Sequence, residues 1–166
     1  MYLESPSQGI NIGAVSLIPV TGPGGAATLG GGVFNLTANG PITQSETMWI
    51  SGPMTLVSGA ANDITLNDLN NSFAGAISIT SATAVALSAV NPLTFGTLNT
   101  VGNFNLNAAN NVSLAGGASI GGNAAILTSS GGITVGNLNV AGNLQANGSF
   151  IAQSGPVAVS GTANFS

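Results

Sequence analysis

The chain repeats a short pattern every 20 to 27 residues, and this period limits its fold more than any other feature. Each unit begins with an apolar residue, continues with small or polar residues typical of a turn, and ends on V/I-x-V/L. The leading apolar residues of the units are Leu36, Leu56, Ile79, Leu106, Leu127 and Ile151. Stacking of the units is expected to place successive copies of the pattern directly above one another.

A second marker has nearly the same period. Gly-Asn pairs occur at Gly102-Asn103, Gly122-Asn123 and Gly142-Asn143, at two intervals of 20 residues. The segment 93–105 also aligns with the segment 133–145. Two independent markers with similar spacing indicate a structural repeat, because a coincidence of composition would scatter them.

The local periodicity within a unit is that of a β-strand. Apolar residues alternate with other residues, as at Ile133 and Val135, while Gly, Asn, Pro and Ser cluster between the short strands. The sequence therefore predicts an all-β fold, a right-handed parallel β-helix (β-solenoid) of about seven coils of roughly 20–24 residues each. We expect residues 1–166 to form one domain, with less regular coils over 1–61 and regular repeats over 62–166.

The Gly-Asn pairs have a physical use in such a fold. Asparagine and glycine accept the left-handed backbone conformations that tight corners require, and stacked asparagines form hydrogen bonds between neighbouring layers. We predict that Asn103, Asn123 and Asn143 form a structural ladder between coils rather than a ligand site.

Composition excludes several classes of partner. The chain has no Lys, Arg, His or Cys, and its acidic residues give a formal charge of -4. Without cations it cannot neutralise a phosphate backbone or anionic headgroups, so we expect no nucleic-acid partner. The apolar stretch from Ile10 to Val20 is too short for a membrane-spanning helix and has no basic region before it, so neither membrane insertion nor a signal peptide is expected.

The same composition removes the usual catalytic bases and nucleophiles. Asp63 and Asp68 are the one close pair of carboxylates for glycoside hydrolysis, but exposed turn positions account for both. With Asn62 and Asn67 they are also the one candidate set of oxygen ligands for calcium, although the nonapeptides of calcium-binding β-rolls are missing. The sequence thus predicts a protein that is not an enzyme, with no catalytic residue, cofactor or metal site.

Two further features have structural interpretations. The glycine runs at 22–25 and 30–32 lack the lysine of a phosphate-binding loop, so they predict turns at coil corners. Trp49, Met48 and Met54 are predicted to pack in the core, and an exposed patch used in subunit contact is the alternative.

Several units resemble a known family. Within residues 62–166, ITLNDLNNSFAGAISIT, LTFGTLNTVGNFNLNAANNVSLAGG and ITVGNLNVAGNLQANGSFIAQSGP resemble repeats of filamentous haemagglutinin-like, two-partner-secretion exoproteins of Gram-negative bacteria. They are also similar to the passenger β-solenoids of autotransporters. The resemblance implies an exported rod with roles in adhesion or biofilms. The secretion domain of those exoproteins carries Asn-Pro motifs near its N-terminus, whereas the only pair here is Asn91-Pro92, so we expect an internal fragment or a fibre subunit.

The predicted function is therefore a secreted structural or adhesive rod at the cell surface. The terminal coils of a solenoid expose unpaired backbone edges, and residues 157–166 show no cap. We expect self-association through the terminal coils into a head-to-tail filament, with a host-cell or matrix surface as a further partner.

Two alternatives remain open at this stage. A glycan- or receptor-binding module would need an exposed aromatic or polar groove. An ice-binding solenoid would need a flat array of threonines, but the positions after the leading apolar residues give a broken array: Thr37, Val57, Thr80, Asn107, Thr128 and Ala152.

Overall fold

The computed structural model describes residues 2–5, 9–12, 15–17 and 32–166, and their regular secondary structure is entirely β-strand. The glycines at 22–25, 30 and 31 lie outside the described residues. The strands are β1 (Tyr2–Ser5), β2 (Ile10–Ile12), β3 (Val15–Leu17), β4 (Phe34–Ala38), β5 (Ile42–Gln44), β6 (Met48–Ile50), β7 (Met54–Val57), β8 (Ile64–Leu66), β9 (Ser72–Phe73), β10 (Ile77–Ser81), β11 (Val85–Ala89), β12 (Leu93–Thr100), β13 (Phe104–Ala108), β14 (Val112–Leu114), β15 (Ala118–Ile120), β16 (Ala124–Thr128), β17 (Ile133–Val135), β18 (Leu138–Val140), β19 (Leu144–Asn147), β20 (Ile151–Gln153), β21 (Val157–Val159) and β22 (Ala163–Phe165).

Each coil passes through three short strands, and these stack in parallel on the strands of neighbouring coils. Face A contains β1, β4, β7, β10, the end of β12, β15, β18 and β21. Face B contains β2, β5, β8, β11, β13, β16, β19 and β22. Face C contains β3, β6 and β9, and then the start of β12, β14, β17 and β20. The described strands thus form seven coils and begin an eighth, which confirms the predicted parallel β-solenoid of about seven coils.

Strand β12 turns a corner without interruption. Leu93 pairs with Val112 on face C, whereas Leu98 pairs with Ala118 on face A. The side chain of Asn91 connects this part of face C to β9: its Oδ1 accepts a hydrogen bond from the Phe73 N–H at 2.8 Å, and its Nδ2 donates to the Phe73 carbonyl at 2.6 Å. A side-chain amide therefore takes the place of a backbone pairing where face C changes strands.

The interior of the coils is apolar and well buried. Alternation along each strand directs every second side chain inward, as in β13, where Phe104, Leu106 and Ala108 are buried. The rings of Phe95 and Phe104 meet edge to face, with centroids 5.6 Å apart. Burial of this apolar surface drives the stacking of coils, because no single coil can enclose a core.

The predicted alignment of the leading apolar residues is correct in part. Leu36, Leu56 and Ile79 stack in register on face A, as predicted. The same marker then moves between faces, since Leu106 lies on face B and Ile151 pairs with Ile133 on face C. The predicted alignment of Leu127 is wrong by one residue: Ile126 pairs with Leu106 and is buried, whereas Leu127 points outward and is 38% exposed. The three strands of a coil have similar apolar patterns, so one marker does not identify its face.

Candidate functional site

The Gly-Asn pairs lie at one corner of successive coils, between faces A and B. The Oδ1 atom of Asn103 accepts a hydrogen bond from the Asn123 N–H at 2.9 Å, and that of Asn123 accepts one from the Asn143 N–H at 2.8 Å. The series ends on Thr162, whose N–H donates to Asn143 Oδ1 at 2.9 Å. The predicted ladder is confirmed, with each bond running from backbone to side chain.

The glycine of each pair is required by close packing. A Cβ atom on Gly122 would lie 2.5 Å from Asn103 Oδ1, and one on Gly142 would lie 2.4 Å from Asn123 Oδ1. The side chain of one coil therefore occupies the space beneath the glycine of the next. The contact between coils at this corner is therefore structural.

Asp63 and Asp68 are not brought together as a catalytic pair. They flank β8 at opposite ends, and each accepts hydrogen bonds from other residues. Asp63 accepts from the Ala84 N–H at 3.1 Å, while Asp68 accepts from Thr47 Oγ1 and from the Asn70 N–H, both at 2.8 Å. The Asn70 N–H, followed by the Thr47 hydroxyl, lowers the pKa of Asp68 below its ordinary value.

The oxygen ligands proposed for calcium are likewise dispersed. The Asn62 side chain donates to the Ser58 carbonyl at 2.9 Å, and Asn67 is exposed beyond β8. Among the residues that the structure describes, no group of three or more acidic, His or Cys side chains is placed to hold a metal ion. In the same part of the chain, no helix has the length and apolar character needed to cross a membrane.

The prediction for Trp49 is wrong, while that for its neighbours is confirmed. Met48 and Met54 are buried in the core, but Trp49 is 48% exposed. It is the middle residue of the three-residue strand β6, so alternation places its side chain on the outer surface of face C.

A buried amide cluster was missed by the sequence analysis. Asn71 is fully buried; its Nδ2 donates to Gln44 Oε1 at 2.8 Å and to the Leu66 carbonyl at 3.2 Å. Its Oδ1 accepts from Gln44 Nε2 and from the Met48 N–H, both at 2.9 Å. These contacts use the full hydrogen-bonding capacity of the amide, so the cluster joins the second and third coils and has no capacity left for a ligand.

The threonine array required for ice binding is absent from the predicted positions. Thr128 is buried and its hydroxyl donates to the Gly131 carbonyl. Asn107 lies on face B and Thr37 on face A, so these positions do not share one surface.

A shallow, open groove lies over face A. It encloses about 580 Å³ and runs beside the corner at which face C turns into face A. The corner is lined by Gly116, Gly117 and Pro156, whose small side chains leave the groove open. A hollow of about 210 Å³ continues along the same face and shares Asn99 and Ser119 with the groove.

The floor of the groove is a row of outward-facing side chains from consecutive coils. Ser119 pairs in register with Asn99 on one side and with Asn139 on the other, and Asn139 pairs with Ala158. All four are exposed, and no charged residue lines the groove. We define these four residues as the face A row.

The amides of the face A row are not used by the fold. Unlike Asn103 and Asn123, the side chains of Asn99 and Asn139 make no hydrogen bond within the described part of the chain. The alignment of segment 93–105 with segment 133–145 gives Asn99 and Asn139 the same position in the repeat, so the row could have been predicted from the sequence. Free amides over an open groove are able to hydrogen-bond a ligand.

The last coil has open strand edges. The Leu138 N–H donates to the Pro156 carbonyl and the Ser160 N–H donates to the Val140 carbonyl, both at 2.9 Å. In a parallel ladder this alternation directs the N–H groups of Val157 and Val159 away from β18, toward the open edge. Phe165 in β22 is 49% exposed at the same end, so the edge combines unpaired backbone with apolar side chains.

Comparison with protein families identifies a family of repeats. The chain matches the family described as "Repeats of unknown function (DUF5649)" over residues 11–80, 82–134 and 121–166. These stretches cover every residue from 11 to 166 except Ser81. No curated protein and no solved structure matches the chain.

Proposed function

The chain belongs to the DUF5649 family of repeats, and on that premise we propose that it is a non-catalytic, extracellular structural rod that lengthens by end-to-end stacking of copies. The observation that supports the proposal is the regular parallel ladder: the strands of the last described coil pair with the preceding coil as earlier coils do, and within the described residues their other edge is available for a further coil. An exposed edge of this kind is a template for another strand.

The coil geometry supports a mechanical role. Backbone pairing on faces A and B and an apolar interior connect each described coil to the next, and the asparagine ladder adds contacts between the coils from Asn103 to Thr162. Parallel pairing on faces A and B recurs from coil to coil along the axis, so adding coils lengthens the rod.

The proposal that the rod is non-catalytic is supported by the residue types that the chain contains. The sequence has no His, Lys, Arg or Cys, and its described acidic side chains do not converge on one site. Asp63 and Asp68 each bind neighbouring groups of the fold instead.

The partner that best fits the open end is a second copy of the chain. Within the described residues, strands β1, β2 and β3 of the first coil also pair on one side only, and they run parallel to the strands of the last coil. A first coil placed on β21 and β22 would continue faces A and B. Because donor and acceptor ends differ, the contact does not close and the assembly grows.

A proline at the open edge tests this assembly. The change Val159→Pro removes an N–H that points away from β18, so the internal ladder is kept while the edge loses a donor. Val159→Thr keeps that N–H and a β-branched side chain, and is the matched control. We expect electron microscopy and light scattering to show linear rods for the wild type and Val159→Thr, and single particles for Val159→Pro.

Two results would contradict the assembly. One is a wild-type chain that stays monomeric at high concentration; the other is Val159→Pro that forms rods as the wild type does. Circular dichroism verifies that the proline variant is folded. If it is not, Ala163→Pro tests the same edge on face B, where Leu144 N–H donates to the Thr162 carbonyl and the N–H of Ala163 therefore points away from β19.

We propose an extracellular location from the repeats' likeness to exported haemagglutinin-like and autotransporter rods, with a host-cell or matrix surface as the adhesion partner. Amine and thiol reagents are unsuitable probes, because the chain has no Lys or Cys. Antibody labelling of intact cells, compared with permeabilised cells, tests the location. Labelling only after permeabilisation would contradict it.

A further inference from the structure

We propose that the groove over face A binds an extended, uncharged β-1,4-linked glycan along the axis of the rod. This goes beyond the structural role, since a rod needs no ligand groove. The binding residues are the free amides of Asn99 and Asn139, with the Ser119 hydroxyl between them. The ligand class follows from the charge and the spacing of these groups.

Charge selects a neutral ligand. The groove is lined by uncharged residues, and the four acidic residues all precede the strands that form it. A phosphate or sulfate would find no cation, and a cationic ligand would find no carboxylate. Hydroxyl and acetamido groups, in contrast, are matched by the donors and acceptors of asparagine and serine.

Spacing selects a β-1,4 linkage. Neighbouring coils are about 4.8 Å apart, so Asn99 and Asn139, two coils apart, are separated by about 9.6 Å along the axis. In a flat β-1,4-linked chain successive sugars are turned over, so equivalent edges recur every second sugar, at nearly this distance. Each asparagine can then contact the same edge of alternate sugars, while the smaller Ser119 lies beneath the sugar between them.

An extended peptide fits the same row less well. Side chains on one face of a strand recur at about 6.6 Å, which does not match coils about 4.8 Å apart. The helical course of an α-1,4-linked glycan also departs from a straight row. Both ligands serve as comparisons in the test.

The test measures binding by titration calorimetry with cellohexaose, chitohexaose and maltohexaose. We expect binding of at least one of the two β-1,4-linked probes and none of maltohexaose. Asn99→Ala combined with Asn139→Ala should weaken binding about tenfold or more, because two hydrogen-bonding groups are lost. Ser119→Trp should abolish binding by filling the floor of the groove.

Asn105→Ala is the matched control, since Asn105 is also exposed and faces outward, but on face B. It should leave affinity unchanged, and rod formation should be the same in all these variants. The proposal is overturned if neither β-1,4-linked probe binds at millimolar concentration, if maltohexaose or an uncharged peptide binds more tightly, or if Asn105→Ala weakens binding as much as the double variant does. Failure here leaves the end-to-end assembly untouched, because that assembly is measured without glycan.

Discussion

The side-chain Oδ1 of Asn103 accepts a hydrogen bond from the backbone N–H of Asn123, the equivalent residue one coil further along the rod. Asn123 repeats the contact with Asn143, so one residue type connects consecutive corners. The bond satisfies a backbone donor at a position where the strands have ended. Its contribution to stability can be isolated by mutation, because no charged residue occurs after Asp68.

Replacing Asn123 by alanine leaves the Asn143 N–H without its acceptor. We expect the free energy of unfolding to fall by about 1 kcal/mol in urea titrations. Asn123→Asp retains an acceptor oxygen and should stay close to the wild type at neutral pH. Equal destabilisation by both substitutions would show that the acceptor is not the reason for asparagine here.

A methyl group at Gly122 has no space. Its Cβ would lie 2.5 Å from Asn103 Oδ1 and 2.7 Å from the Gly102 carbonyl carbon, so Gly122→Ala must displace backbone. We expect a loss of about 1 to 3 kcal/mol in the free energy of unfolding. Gly32→Ala, where nothing lies within 4 Å of the new atom, should cause little change. A silent Gly122→Ala would contradict the packing described for this corner.

The buried amide of Asn71 should be among the most sensitive polar positions. Asn71→Ala leaves the Met48 N–H without its acceptor and removes both hydrogen bonds between this amide and the Gln44 side chain. We expect destabilisation of about 3 kcal/mol, because a buried unpaired donor bears its full desolvation penalty. Asn67→Ala, at an exposed position nearby, is the control and should be nearly neutral in the same urea titration.

Acidification should weaken the contact of Asp68 with Thr47 and Asn70. The pKa of Asp68 is lowered from 3.8 in the folded chain, so its contribution is present above that value and is lost as the pH falls through the lower folded value. In Asp68→Asn this part of the pH dependence should be missing. Urea midpoints of the two proteins should therefore converge between about pH 5 and pH 2. The difference is small because water screens the group, and a constant gap across this range would contradict the assignment.

The fold was predictable because the repeat period of the sequence corresponds to the length of one coil of the solenoid. The interval of 20 residues between Asn103, Asn123 and Asn143 is the length of one coil in this part of the chain, and alternation identifies the buried residues within each strand. Corner residues were informative because each coil has few of them and each is constrained by close packing.

Residues whose burial depends on pairing with a neighbouring coil were harder to predict from the sequence. Ile126 and Leu127 are both apolar, and only pairing with Leu106 shows that Ile126 is the buried one. Trp49 was expected in the core with Met48 and Met54, yet strand alternation places its side chain on the outer surface. Asn71 gave no signal, because its partners Gln44 and Met48 lie more than 20 residues earlier in the chain.

At Asn91, the strands that build face C change from one arrangement to another within a continuous stack of coils. On one side of it face C is built from β9, and on the other from the bent strand β12, while faces A and B stay paired in parallel, with a register shift in β10 on face A. The two stretches are thus held together on face C by an amide side chain and on faces A and B by backbone pairing. A change of strand on one face therefore leaves the stack continuous, because the other two faces bear the connection between the coils.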